Sequence, residues 1–136
     1  MAMQQLIKTT AIAIGYSLLG ILFLSQLNVN QYVSGFWLPS GLIAALALQW
    51  GYLPLVGIFL GEMIMEFIYG HGSLWMSIAV ALSQVLQGII ICLLAPRLMK
   101  GKDIFISLAN LGGFLAAVSV AIAVHTFFGG WLIPQW

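Results

Sequence analysis

Charged side chains are scarce in this sequence. Its 136 residues include four Lys or Arg and three Asp or Glu, so 5% of the chain is charged and the formal net charge is +1. A water-soluble domain carries about 25% charged residues, and seven charges cannot cover its surface. A nucleic-acid-binding protein needs clustered basic charge. The composition therefore excludes a soluble domain and a nucleic-acid partner.

Cysteine is nearly absent as well. Cys92 is the single cysteine, so the chain can form no internal disulfide and offers no Cys-x-x-Cys pair for zinc or redox chemistry. The sequence also shows no Ser-His-Asp arrangement and no phosphate-binding loop. We therefore expect a protein that is not an enzyme, and the sequence assigns it no cofactor.

Apolar residues fill most of the remaining sequence. They make up 62% of the chain, and the mean hydropathy is +1.11. A bilayer core requires a helical run of about 20 apolar residues. Five such runs follow one another: Leu6 to Leu27, Gly35 to Trp50, Leu53 to Tyr69, Leu74 to about Leu98, and Ile104 to Phe128. The sequence predicts one all-α integral membrane domain over residues 1–136, with about five transmembrane helices.

The basic residues predict the orientation of these helices. Lys8 lies at the start of the first run, and Arg97, Lys100 and Lys102 lie between the fourth and fifth runs. Lys and Arg collect in short cytoplasmic loops. We therefore expect a cytoplasmic amino terminus, an outside carboxyl terminus and a multi-pass protein of the bacterial cytoplasmic (inner) membrane.

Pro39 makes the second run unusual. A proline suits the first turn of a helix, and a helix from Pro39 to Trp50 has 12 residues, or about 18 Å of length. That helix would be too short to span the bilayer, and the chain before it would have to line a cavity. A kinked but continuous helix is the other interpretation.

Two acidic residues lie inside the third run. Glu62 and Glu66 are four residues apart and so share one helix face. Gly57 and Gly61 form a GxxxG pair beside that face, which favours close packing with another helix. Because an ionisable residue inside a membrane is costly, it marks a candidate functional site. We expect both carboxyl groups to point into the bundle, away from any Lys or Arg.

Two histidines are expected at about the depth of Glu66. His71 follows the third run, and His125 lies near the end of the fifth. Glu66, His71 and His125 are therefore candidates for a proton-linked polar pocket or, with Glu62, for a divalent-metal site. A haem held by the two histidines and simple hydration at the membrane surface are the remaining interpretations.

Polar amides lie within the fourth and fifth runs. Gln84 and Gln87 are three residues apart, and they could either hydrogen-bond between helices or contact a ligand. Asn110 is interpreted as an interhelical hydrogen-bonding residue. Two further pairs of small residues predict close helix packing, Gly41 with Ala45 and Gly113 with Ala117.

One segment resembles a known family. The run Trp37-Leu38-Pro39-Ser40-Gly41 is followed by an aliphatic stretch to Gly51, and then by Pro54, Gly57 and Gly61. This pattern resembles the bacterial membrane-associated sensor domain MASE1, over about residues 30 to 134. The resemblance implies an integral-membrane input module, usually of about eight helices, joined to a cytoplasmic histidine-kinase or diguanylate-cyclase output. This chain departs from the family in having Gln87 where an acid is usual, and in showing five helices without an output domain.

The resemblance and the polar residues together predict the function. We expect a MASE1-like sensory module that binds a ligand or partner within the membrane, in a chamber between the second, third and fifth helices. The candidate ligand-binding residues are Trp37, Ser40, Glu62, Glu66, Gln84, Gln87 and His125. The alternative is a small accessory subunit of a respiratory, photosynthetic or transport complex that contacts lipid, haem or pigment. The expected partners are the lipid bilayer and either other membrane subunits or further copies of the chain.

Overall fold

The protein is described here from a computed structural model, which covers residues 2–27, 38–69, 73–101 and 103–132. These residues form α1 (Ala2–Leu27), α2 (Leu38–Trp50), α3 (Leu55–Tyr69), α4 (Leu74–Leu98) and α5 (Leu108–Leu132), with a 3-10 turn over Ile104–Ile106. No strand occurs within those ranges. The all-α prediction is confirmed for this part of the chain.

The helices differ in length. Three are long and apolar enough to cross a membrane, over Met3–Phe23, Leu74–Leu98 and Leu108–Phe128. The described parts of α2 and α3 have 13 and 15 residues, or about 20 and 22 Å, less than the bilayer core of about 30 Å. The described ranges thus contain five α-helices, and three of these have spanning length. Pro39 lies in the first turn of α2 as described; the residues before Leu38, which decide between a break and a kink, lie outside the described residues.

The helices pack around α3 and α4. α3 lies against α1 and α4, α4 also contacts α2 and α5, and α2 contacts α1. α1 and α3 run parallel, because Gly57 faces Ile12 and Gly61 faces Tyr16. α2 and α4 also run parallel, as shown by the Ser40–Gln87 and Ala47–Cys92 contacts.

This arrangement brings described basic residues to one end of the bundle. The Lys8 Nζ lies 5.5 Å from the centre of the Trp50 ring. Trp50 ends α2, and Arg97 lies in the last turn of α4, which runs parallel to α2. Lys100 follows two residues after that helix. The shared end agrees with the predicted topology, while the side of the membrane that it faces stays a prediction.

The GxxxG pair of α3 is the surface on which α1 packs. A Cβ atom added at Gly57 would lie 2.8 Å from the Thr9 carbonyl oxygen and 2.8 Å from the Ile12 Cβ. One added at Gly61 would lie 2.8 Å from the Ala13 carbonyl oxygen. The backbones of α1 and α3 are therefore in contact at both glycines, and a side chain at either position would have no room. The predicted role of the GxxxG pair is confirmed.

The two other small-residue pairs have different outcomes. Gly113 of α5 packs against the Leu98 backbone, and Ala117 is fully buried. By contrast, no atom lies within 4 Å of a Cβ added at Gly41, and Ala45 is exposed. The expected close contact at Gly41 and Ala45 is therefore wrong, because the face of α2 that packs is the opposite one, which carries the fully buried Ile43.

The start of α5 lies four residues later than the apolar run suggests. Asp103 Oδ1 accepts a hydrogen bond from the Phe105 N–H at 3.0 Å and caps the 3-10 turn. Ser107 Oγ accepts a hydrogen bond from the Asn110 N–H at 3.1 Å, as an N-cap hydroxyl does. Asp103 and Ser107 thus hydrogen-bond the backbone N–H groups of Phe105 and Asn110. The segment before Leu108 forms a short turn in place of α-helix, so α5 begins at Leu108.

Asn110 closes the connection between α4 and α5. Its Oδ1 accepts from the Lys100 N–H at 2.8 Å, and its Nδ2 donates to the carbonyl oxygens of Lys100 and Asp103 at 3.1 and 2.9 Å. Asn110 is 1% exposed, so these bonds are shielded from water. It was expected to bond helix to helix; instead it holds the turn that joins two helices.

We expect Gly57→Ala to destabilise the bundle and Gly41→Ala not to. The added methyl group at position 57 meets a backbone oxygen, which cannot move without shifting α1, and overpacking of this kind costs about 1–3 kcal/mol. At position 41 the methyl group meets open space, so removing a helical glycine should stabilise the helix by about 0.5–1 kcal/mol. Thermal melting of both variants in the same detergent measures the difference. Equal melting temperatures would show that α1 does not pack on Gly57.

Candidate functional site

The first group of buried polar residues joins α2 to α4. Gln87 is fully buried, and Ser40 Oγ donates to Gln87 Oε1 at 3.4 Å. Gly88 follows Gln87 and lets Leu55 and Ile43 pack against the α4 backbone. This close packing of α2 and α3 seals the amide of Gln87 from the surroundings, and its Nε2 has no hydrogen-bond partner among the described residues.

Gln84 lies on the same face of α4, three residues before Gln87. It is 3% exposed, and its Oε1 has no partner within the described part of the chain. An amide that only links helices would have its donor and acceptor bonded, because an unsatisfied buried group costs about 1–3 kcal/mol. The structure brings the predicted site residues Ser40 and Gln87 together and leaves an amide donor and an amide acceptor available beside them.

The second group lies between α1 and α3. Glu62 is 2% exposed, and the fully buried Tyr16 side chain interacts with its carboxyl group. The charged neighbour of Glu62 is Glu66, and Glu62 Oε2 has no hydrogen-bond partner among the residues described. Glu62 thus points into the bundle, as the GxxxG pair predicted, and it has no basic partner within the described part of the chain.

Ser17 of α1 follows Tyr16 in the chain and contacts Gly61, the residue before Glu62. Its Oγ is 2.8 Å from the Ala13 carbonyl oxygen and 2.9 Å from that of Gly61. The hydroxyl group therefore hydrogen-bonds across the point where α1 and α3 are closest. Sequence reasoning missed both Ser17 and Tyr16. Their position in the middle of the first apolar run, where polar side chains are costly, was the available signal.

The third group joins α4 to α5. The half-buried His125 interacts with the backbone of Ser83, and its Nδ1 is buried without a hydrogen-bond partner among the described residues. Ser83 is itself buried and donates to the Val80 carbonyl oxygen at 2.7 Å. His125 therefore lies against the tenth residue of α4 and not against the first turn of that helix.

The predicted metal site is not formed by the described residues. Glu66 is half-buried on α3, and the described part of the chain contains no group of three or more His, Cys, Asp or Glu residues placed to hold a metal ion. His71 and Trp37, which were also predicted site residues, lie outside the described residues. A metal site that includes His71 stays a prediction.

The polar residues form three pairs, each between two neighbouring helices. The sequence led us to expect a single chamber between the second, third and fifth helices. Ser40 meets Gln87 across α2 and α4, Tyr16 meets Glu62 across α1 and α3, and His125 meets Ser83 across α4 and α5. The available atoms are amide, carboxyl and imidazole groups in apolar surroundings. Such atoms can hydrogen-bond the polar group of a molecule that enters from the membrane.

These features define a class of protein: it is helical, it has helices long enough to span a membrane, and it buries polar side chains within the helix bundle. The family comparison names it further: the MASE1 family model matches residues 9–136. The chain therefore belongs to the MASE1 family, whose members are membrane-associated sensory domains. Searches of curated proteins and of solved structures returned no significant match.

We expect Gln84→Met and Gln87→Met to leave the melting temperature unchanged or to raise it. Methionine resembles glutamine in shape, and the substitution removes the desolvation cost of Gln84 Oε1 and Gln87 Nε2, which have no partner among the described residues. The hydrogen bond lost is the long Ser40–Gln87 contact at 3.4 Å. Asn110→Leu is the matched control, since it replaces a fully bonded buried amide, and it should cost about 1–3 kcal/mol. Thermal melting in detergent compares the three. A large destabilisation by both methionine variants would make the glutamines structural.

Proposed function

We propose that this protein is a membrane-embedded sensory module that acts by binding rather than by catalysis. Its ligand is a membrane-soluble molecule with one hydroxyl, carbonyl or carboxyl group, held by Gln84 and Gln87 next to Ser40. The observation that carries the proposal is the pair of buried amides on α4 whose Gln84 Oε1 and Gln87 Nε2 atoms have no partner in the part of the chain that the structure describes.

A comparison within the chain supports this choice of residues. The Asn110 amide makes three hydrogen bonds with backbone groups, at 2.8 to 3.1 Å. The Gln87 amide, which is equally buried, has one long contact, with Ser40 at 3.4 Å. Since nothing in hydrocarbon replaces a missing hydrogen bond, a ligand that supplies it gains affinity from the protein's own unsatisfied groups.

The position of α4 explains how binding can produce a signal. α4 contacts α2, α3 and α5, and Gly88 sets its distance from the first two. A ligand between α2 and α4 favours whichever helix arrangement binds it better. We propose that this change in packing passes to another membrane protein or to a second copy of the chain, in a bacterial inner membrane with the basic end of the bundle in the cytoplasm.

An accessory subunit of a larger membrane complex is the second candidate function. The observation in its favour is the exposure of α5, whose apolar span over Leu108–Phe128 is 11% buried. A subunit that packs on a larger protein could use this face. Extraction from native membranes in mild detergent tests it: constant recovery with one complex in fixed stoichiometry supports the accessory subunit.

We expect ligand-dependent stabilisation of the wild-type protein that Gln87→Met abolishes. The probes are medium-chain fatty acids, methyl ketones and alcohols, added to the protein in lipid nanodiscs while the melting temperature is measured. Gln49→Met is the matched control, because Gln49 is on the same bundle but exposed, and it should keep the full shift. The proposal fails if no probe raises the melting temperature, or if the Gln87 variant responds like the wild type.

We expect Glu62→Gln and Glu66→Gln to keep the same ligand-dependent shift, because Glu62 pairs with Tyr16 between α1 and α3, whereas the proposed ligand lies at the Ser40–Gln87 pair between α2 and α4. The change removes the acid but nearly preserves its shape, and Glu62 is buried whereas Glu66 is half-buried. The melting shift of each variant with the same probe gives the comparison. Loss of the shift in Glu62→Gln would show that the ligand contacts this carboxyl group and would contradict a site limited to Ser40, Gln84 and Gln87.

A further inference from the structure

A separate cavity of about 240 Å³ lies between α2 and α4, toward the basic end of the bundle. Its lining includes Ala47, Gly51, Ile91, Cys92, Ala95 and Met99. Because Cys92 follows Gln87 by more than one helical turn, the cavity lies nearer that end than the Ser40–Gln87 pair does. None of the proposed ligand contacts lines it.

The lining of the cavity predicts an apolar occupant. Among the described residues no charged side chain lines it, and the polar side chains that do are Cys92 and Tyr52. Cys92 Sγ lies 4.0 Å from the Ala47 carbonyl oxygen, which leaves the thiol little capacity to hold water. Apolar cavities stay dry and bind apolar molecules. In a membrane the most abundant apolar groups are lipid acyl chains.

The chain around the cavity carries basic side chains. Lys100 lies between the lining residues Met99 and Gly101, and Arg97 follows the lining residue Pro96. Both basic side chains are exposed. At the end of α2, Lys8 lies over the ring of Trp50, the residue before Gly51.

One acidic residue lies close to this group. Asp103 is two residues after Gly101, and its Oδ1 accepts the Phe105 N–H at 3.0 Å. Lys8, Arg97 and Lys100 therefore outnumber the nearby acid three to one. Basic groups next to a site between membrane helices attract anionic lipid headgroups.

We propose that this cavity binds one acyl chain of an anionic phospholipid, whose phosphate group lies at Arg97 and Lys100. The apolar lining accounts for the chain, and the basic side chains account for the headgroup. The site is independent of the Ser40–Gln87 pair, so it can be present whether or not the proposed sensory ligand is correct.

Cys92 allows this proposal to be tested directly, since it is the single cysteine of the protein and lines the cavity. The rate of its alkylation by N-ethylmaleimide is measured in nanodiscs of phosphatidylcholine alone and of phosphatidylcholine with phosphatidylglycerol. We expect at least a threefold slower reaction with phosphatidylglycerol, because its acyl chain covers the thiol. Inorganic phosphate added to the phosphatidylcholine nanodiscs should give no protection.

Two variants control the measurement. Arg97→Gln with Lys100→Gln should restore the fast reaction in phosphatidylglycerol nanodiscs, and both side chains are exposed, so the fold should survive. Cys92→Ala with Ala45→Cys moves the thiol to an exposed position on α2, where the two lipid mixtures should give equal rates. Equal rates at Cys92 in both mixtures, or protection that persists in the double glutamine variant, would overturn the proposal.

Discussion

Hydrocarbon offers no hydrogen bonds, so a polar atom inside a membrane protein must find its partner within the protein or in a ligand. This constraint separates the polar residues of the chain into two sorts. Asn110 and Ser17 have their hydrogen bonds supplied by backbone groups and hold the structure. Gln84 and Gln87 have polar atoms that the described residues leave without a partner. A ligand therefore gains most binding free energy by hydrogen-bonding Gln84 and Gln87.

α4 combines packing and polar residues in one helix. Gly88 permits the approach of Leu55 and Ile43, and the preceding Gln87 is buried by that same approach. A larger residue at position 88 would meet the end of the Leu55 side chain, which would have to take another position. The packing of Leu55 and Ile43 and the buried amide of Gln87 are therefore adjacent on one helix, so a change in this packing would alter the surroundings of the site.

Much of this arrangement could be predicted from the sequence. The shortage of charge indicates a membrane protein, GxxxG indicates the packing face of α3, and the spacing of Gln84 and Gln87 places them on one face. The partner of each group could not be predicted, because it depends on which helices are neighbours. Glu62 meets Tyr16 of α1, and Gly41 faces open space although its spacing with Ala45 resembles a packing motif. The start of α5 depends on local bonds of Asp103 and Ser107 that hydropathy does not reveal.

The contact between Ser40 and Gln87 joins residues 47 positions apart. A ribosome makes the chain from its amino terminus, and early parts fold first. Ser40 therefore leaves the ribosome well before Gln87. At that stage α2 can contact α1, but α4 has not yet been made. The Ser40–Gln87 contact can form only after α4 has been made, and a nascent chain cut before that helix would expose a hydroxyl group whose partner has not yet been made.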